Sequence, residues 1–192
     1  DSLAAYRAGD LLAALASYPP ARQPGTEAER VYRAALLLSV GQIGEAETAL
    51  ASVSTADPAV RPQRLVAALR QLIAAVKRQS DTALPHPELA TEFLASSYRE
   101  QSRAIGRASL ESALKQAKQA AAASPKFGFA WARVAELEFS FGHTRSALDA
   151  LDRSLELSPR NAQALALKGF LLAAQNQTRE AITWFDRALA AD

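Results

Sequence analysis

Small and large apolar residues recur along the C-terminal third of the chain at a fixed interval. Setting AWARVAELEFSFGHTRSALDALDRSLELSPRN over ALALKGFLLAAQNQTREAITWFDRALAAD aligns Trp131 with Leu165, Gly142 with Asn176, Ala147 with Ala181 and Leu151 with Phe185, each thirty-four residues apart. The interval predicts two helices per copy, joined by a turn at Gly142 or its equivalent. It persists upstream: Pro125 precedes Pro159 by thirty-four residues, and Pro58 precedes Pro125 by sixty-seven, about two intervals. A further copy reads Ala34, Leu37, Gly41, Ala46, Leu50 and Pro58, and the first residues supply Gly9, Ala14 and Tyr18 as the later part of a copy whose first helix is short.

The residue types at these positions have a packing logic. Small residues at Ala34, Ala135 and Gly169 in the first helix of each pair, and at Ala46, Ala147 and Ala181 in the second, let two helices approach closely. Leu50, Leu151 and Phe185 then fill the space between them. Gly41 and Gly142 stand where a helix exits through the left-handed region, and the prolines suit the first turn of the next helix, where a missing amide hydrogen costs nothing.

Period and positions together resemble the tetratricopeptide repeat (TPR) family, with its Trp-x2-Leu-Gly-x2-Tyr, Ala-x3-Phe and Pro pattern. The resemblance implies an all-α fold, an α-α right-handed superhelix of about four to five helix pairs. Lys168 and Glu138 occupy sites that are usually apolar in that family. The copy between Leu94 and Phe127 departs furthest, with Ser97, Glu100 and Gln101 in place of a bulky-bulky-small set.

The middle breaks the parity of the array. Between Pro58 and Pro125 two copies should supply four helices, but only three are legible, at about 60–79, 87–104 and 107–123. The connection SDTALPHP either reverses the chain and shifts the phase of the array, or runs back along the long helix and restores the order. The expected organisation is therefore repeats over 1–58, an irregular helical segment over 59–124 that contains the Pro-rich loop 80–87, and repeats again over 125–192.

Composition supports helices: 49% of residues are apolar, many of them Ala or Leu, with eight Gly and nine Pro. No apolar run reaches the roughly eighteen residues needed to cross a bilayer, so a soluble protein is expected, cytoplasmic or periplasmic. The chain opens at Asp1 and holds no Met, which suggests an excised or processed piece of a longer polypeptide. Seventeen Arg against five Lys, with abundant Ala, hints at a GC-rich bacterial genome. A formal charge of +2 is too small to draw the chain to nucleic acid. Residues 61–127 nevertheless carry eleven basic and five acidic groups, which read as solvated helix faces or, as the sharper alternative, a site for an acidic partner.

Catalytic signatures are absent from the sequence. There are two histidines and no Cys; His143 and His86 have no partner at metal-ligand spacing, and no phosphate loop or nucleophile elbow occurs. Glu136 and Glu138, two apart on a helix, point to different sides and read as surface charges. The expectation is a non-enzymatic protein-interaction scaffold with no cofactor and no metal. In related arrays the first-helix positions held here by Tyr98, Ser102, Ile105, Phe129, Glu136, Phe139, Gln163 and Phe170 line the concave groove, so the resemblance assigns partner contact to them. The Phe side chains could equally plug the gap to the next first helix. The carboxylate clamp of co-chaperone members has no counterpart, because the equivalent sites hold Val31, Ala35, Tyr98, Ser102, Ala132, Glu136, Ala166 and Phe170. Ile182 and Trp184 on the last helix, and Leu11, Leu12 and Leu15 near the start, lack a covering unit. Further repeats of a parent protein, or self-association, would bury them. The other reading is a regulatory or sensory arm of a larger bacterial signalling or envelope protein.

Overall fold

The computed structural model describes residues 1–18, 22, 24–53, 61–80, 83–103 and 106–191. Among them are eleven helices and no strand: α1 (Ser2–Ala8), α2 (Leu11–Ala16), α3 (Glu27–Ser39), α4 (Ile43–Ala51), α5 (Arg61–Val76), α6 (Ala90–Ser102), α7 (Arg107–Ala123), α8 (Gly128–Ser140), α9 (Thr144–Leu157), α10 (Ala162–Ala174) and α11 (Thr178–Leu189). The expected all-α superhelix of TPR-like helix pairs is the fold observed. None of these helices is long and apolar enough to cross a membrane.

Contacts at the helix ends show the pairs to be antiparallel. Arg30 near the start of α3 donates to the carbonyl of Ser52 just past α4, Ser154 late in α9 donates to the carbonyl of Gly128 at the start of α8, and Arg160 before α10 reaches the carbonyl of Ala190 after α11. The turns inside the pairs use left-handed backbone, with φ of 80° at Gly41, 75° at Gly142 and 59° at Asn176. Asn is the side chain that best tolerates this region, which explains why it replaces Gly in the last copy.

The seam positions are buried as the repeat requires. Ala34, Ala135, Ala147 and Leu151 are fully covered, and Ala46, Leu50 and Ala181 nearly so. At Gly169 the fit is tightest: a Cβ there would lie 2.6–3.0 Å from the ring carbons of Phe185, so the missing side chain is the hole that receives the ring. In the weak copy Ala113, Ala117 and Ala120 of α7 are all inaccessible, and Phe93, Leu94, Leu110 and Leu114 of α6 and α7 pack against the same cluster. Pro58 lies outside the described residues.

Two apolar clusters result. One joins α3, α4 and α5 through Leu37, Leu50, Leu69 and Ile73. The other joins α7 to α10 through Leu137, Leu151 and Leu171, with Phe93 and Leu94 of α6 packed against it.

The contacts between α5 and α6 settle the path of the chain in the middle. Arg64, in the first turn of α5, pairs with Glu92, in the first turn of α6, and one α5 turn-pair later Gln71 meets Ser96. Both contacts advance in the same sense, so the two helices run parallel. The chain between them must travel back the length of α5, about 24 Å for sixteen residues, and it restores the phase of the array. Arg64 ties down the end of this return by donating to the carbonyl of His86 and pairing with Glu88 and Glu92. Burial pushes the Glu92 carboxyl up, but the Arg64 guanidinium and the amides of Glu88 and Leu89 outweigh it and hold the group below its usual value.

A side chain at Gly169 must displace the Phe185 ring. Gly169→Val is expected to cost about 1–3 kcal/mol in thermal or urea unfolding. The same change in a Phe185→Ala background should cost markedly less, and equal costs in the two backgrounds would mean that the ring does not occupy the notch.

Candidate functional site

The first helices of successive pairs line the concave side, and the N-terminal hairpin α1–α2 closes it. Its attachment point is the turn between α9 and α10, some 150 residues away along the chain. A helix leaves its last carbonyls without partners. In α1 two of these, Arg7 O and Ala8 O, accept from the Ser158 hydroxyl at 2.9 Å and the Arg160 amide at 2.8 Å. Gly9 then turns the chain with φ of 86°, directly over Asn161; a Cβ there would fall 2.7 Å from the Asn161 nitrogen. Asp10 caps α2 through the Ala13 amide and forms an ion pair with Arg160 at 2.6 Å. Tyr6 stacks on Phe129 at 5.4 Å and meets Tyr32 edge-on at 5.8 Å. Burial, and then the neighbouring Tyr32, push its phenol up to about 12, so the ring stays neutral.

The hairpin bounds one side of a partly open cavity of about 690 Å³, at whose mouth Leu12 and Val76 remain exposed. Val31, Ala35 and Leu38 face it from α3, Leu65, Leu69 and Leu72 from α5, Leu94 and Tyr98 from α6, and Phe129 and Arg133 from α8. Gln163 of α10 and Tyr6, Leu11 and Leu12 of the hairpin complete the wall. The α5 side chains follow from sequence directly, since positions 61, 65, 69, 72 and 76 form one helical stripe.

One wall carries a buried cation. The Arg133 side chain is 1% exposed, and its guanidinium donates to Ser97 Oγ and O, Gln101 Oε1 and Glu136 Oε2 while lying 3.9 Å over the Tyr98 ring. Ser97 and Gln101, which depart from the repeat pattern, are therefore the acceptors that this arginine requires. Burial raises the Tyr98 phenol, with the Arg133 charge opposing it.

Of the eight residues assigned to the groove, Tyr98, Phe129 and Gln163 line the cavity. Glu136 sits behind it, paired with Arg133 at 2.8 Å. Phe139 packs against the C-terminal apolar cluster, Ser102 is exposed at the end of α6, and Phe170 is 57% exposed with its ring edge-on to Phe185. Ile105 lies outside the described residues. On the last helix Ile182 is 54% exposed, whereas the Trp184 ring is covered by Lys168 at 4.3 Å and Arg187 at 4.1 Å. Lys168, at its usually apolar site, is thereby given an aromatic face and the Asp152 carboxylate.

Glu138 corrects the surface-charge reading. Its side chain is 5% exposed and accepts from Lys118 of α7 and from His143 Nδ1, each at 2.7 Å. Burial pushes this carboxyl up, and the bonds from Lys118 and His143 bring it below its ordinary value. His143 also stacks on Phe141. These groups tie α7 to α8 and its turn, and among the described residues no group of three or more His, Asp or Glu could hold a metal ion.

No family model and no curated protein matches the chain. Solved structures similar to it include a crystal structure of MamA (14% identity over 99% of this chain and 93% of that one, TM-score 0.46). Another is MamA 41-end from Desulfovibrio magneticus RS-1 (14% identity, 99% and 90%, TM-score 0.43).

Two expected outcomes follow from these contacts. Gly9→Ala combines an unfavourable φ with a clash against the Asn161 backbone, about 1–3 kcal/mol, and should release the hairpin. Amide hydrogen exchange should then accelerate in α1 and α2 while α8 to α11 stay protected; uniform protection would show that the hairpin does not depend on this close approach. Glu138 has a folded pKa below its usual 4.5, so its contribution is complete above that value and is lost as pH falls through the folded one. Glu138→Gln should lower the thermal midpoint near neutral pH, and the gap to the parent chain should shrink on acidification toward pH ~3.

Proposed function

We propose that the chain is a non-enzymatic protein-interaction scaffold that takes an apolar segment of a partner on its concave side. One observation carries this reading: α3, α5, α6, α8 and α10 all turn side chains toward a single shared concavity, and those side chains are mainly aliphatic and aromatic. Aromatic and aliphatic anchors in a recess account for most binding energy at protein interfaces. Tyr98, Phe129 and Gln163 are the contacts proposed from the first-helix pattern, together with Leu65, Leu69 and Leu72. Among them Phe129 is also where the N-terminal hairpin docks, through Tyr6, so a partner that reaches it must displace that hairpin.

Site-specific photo-crosslinking tests the assignment in the full chain. A photoreactive side chain at Gln163 or Leu72 should capture the partner, whereas one at Lys115, exposed on α7, should not. Leu65→Glu combined with Leu72→Glu should reduce capture by more than about tenfold, since it buries charge in an apolar contact. Capture at Lys115 alone, or capture indifferent to the two charges, would move the interface to another face.

A further inference from the structure

The closed form of the concave side has a charge pattern and a size of its own. Among the described residues no Asp or Glu lines the cavity, and its two cationic side chains are Arg133, which is buried, and Arg61, which is exposed at its mouth. Arg133 is neutralised by Glu136. Arg61 has no ion pair or hydrogen bond among the described residues. It begins the α5 stripe that continues through Leu65, Leu69 and Leu72 to Val76, a track of about 22 Å at 1.5 Å per residue with one unpaired positive end. The rest of that track is aliphatic.

The volume limits what can occupy this chamber while the hairpin is docked. At about 690 Å³ the concavity falls within the roughly 300–1,000 Å³ of small-molecule pockets. Its mainly apolar wall leaves hydrocarbon surface against water that an apolar body would cover.

We infer that the closed chamber binds a single-chain anionic amphiphile, whose alkyl body lies along Leu65, Leu69 and Leu72 and whose head group pairs with Arg61. The head is an oxyanion, a carboxylate or a phosphate monoester, since either accepts a forked pair of bonds from a guanidinium. This inference goes beyond the protein-binding reading and does not rest on it: ligand and partner segment would compete, the ligand occupying the hairpin-docked form.

The test is fluorescence titration of the full chain with cis-parinaric acid, a long-chain fatty acid, and with its methyl ester. Saturation at one molecule per chain is expected, with the acid about tenfold tighter than the uncharged ester. Arg61→Gln should bring the acid to the level of the ester and leave the ester unchanged. Ala35→Phe and Leu72→Trp fill the chamber from the neighbouring helices α3 and α5, and whichever retains a cooperative melt should abolish binding of both probes. A dodecyl phosphate competitor distinguishes the two head groups. Equal binding of acid and ester overturns the anionic assignment, and binding that survives filling, or exceeds one molecule per chain, overturns the chamber itself. Displacement of the probe at equal affinity by an acidic apolar peptide would assign the site to a polypeptide instead.

Discussion

A small residue facing a large one across each helix pair is the contact on which the whole array depends. Its clearest instance is the Gly169 notch, where the Phe185 ring stands within van der Waals distance of backbone that any side chain would cover. The equivalent positions in earlier copies are Ala135 of α8 with Leu151 of α9 and Ala34 of α3 with Leu50 of α4, each pair within one apolar cluster and all essentially inaccessible. Each such seam sets the separation of two helices, and the separation fixes which face of the first helix remains for the concave side. Apolar burial supplies the driving force, while the notch chooses the geometry in which it is spent. That is why the positions repeat more faithfully than the surrounding sequence.

Where the seam loses its large member, charge is recruited. The α6–α7 copy packs through Ala113, Ala117 and Ala120, and each side of it holds a buried ion. Glu92 takes Arg64 of α5, Arg133 of α8 takes Ser97 and Gln101 of α6, and Glu138 of α8 takes Lys118 of α7. Removing one member of such a pair leaves an uncompensated charge in a poorly hydrated place. These pairs consequently specify how α5, α6, α7 and α8 register, a task the apolar seams perform at either end of the array.

The period and the seam were legible in the sequence because both are local: thirty-four residues separate equivalent positions, and small and large types alternate across one turn. Contacts without a local signature were not. The parallel course of α5 and α6 was undecided because a connection of that length permits either path, and only the pairing of Arg64 with Glu92 selects one. Glu138 looked like a surface charge because spacing to Glu136 considers one helix, whereas its partners come from α7 and from the turn at His143. The hairpin closure was invisible for a plainer reason. Ser158 and Arg7 are 151 positions apart, and neither residue type announces the other. Of the groove positions, those on the inner stripe at Tyr98, Phe129 and Gln163 converge, while Phe139 and Phe170 turn toward neighbouring helices.

Closure changes what the concave side can be. An open array offers a surface, and a surface selects partners by area; a ring offers a chamber, and a chamber selects by volume and charge. The closing contacts are few: two hydrogen bonds to the end of α1, one ion pair at Asp10, and the stacking of Tyr6 on Phe129. The ion pair is half in solvent, with the Arg160 side chain 54% exposed, and contributes little. The proposed release of the hairpin from the α9–α10 turn would have only these contacts to break, since the hairpin is held to α3 separately through Ser2 and Tyr32. Any occupant that touches α5 and the hairpin together, through Leu69 and Leu12 for example, must favour the closed state by its differential affinity, and any partner that needs Phe129 bare must favour the open one. The two proposed kinds of binding would thereby be coupled with opposite sign through a single hairpin.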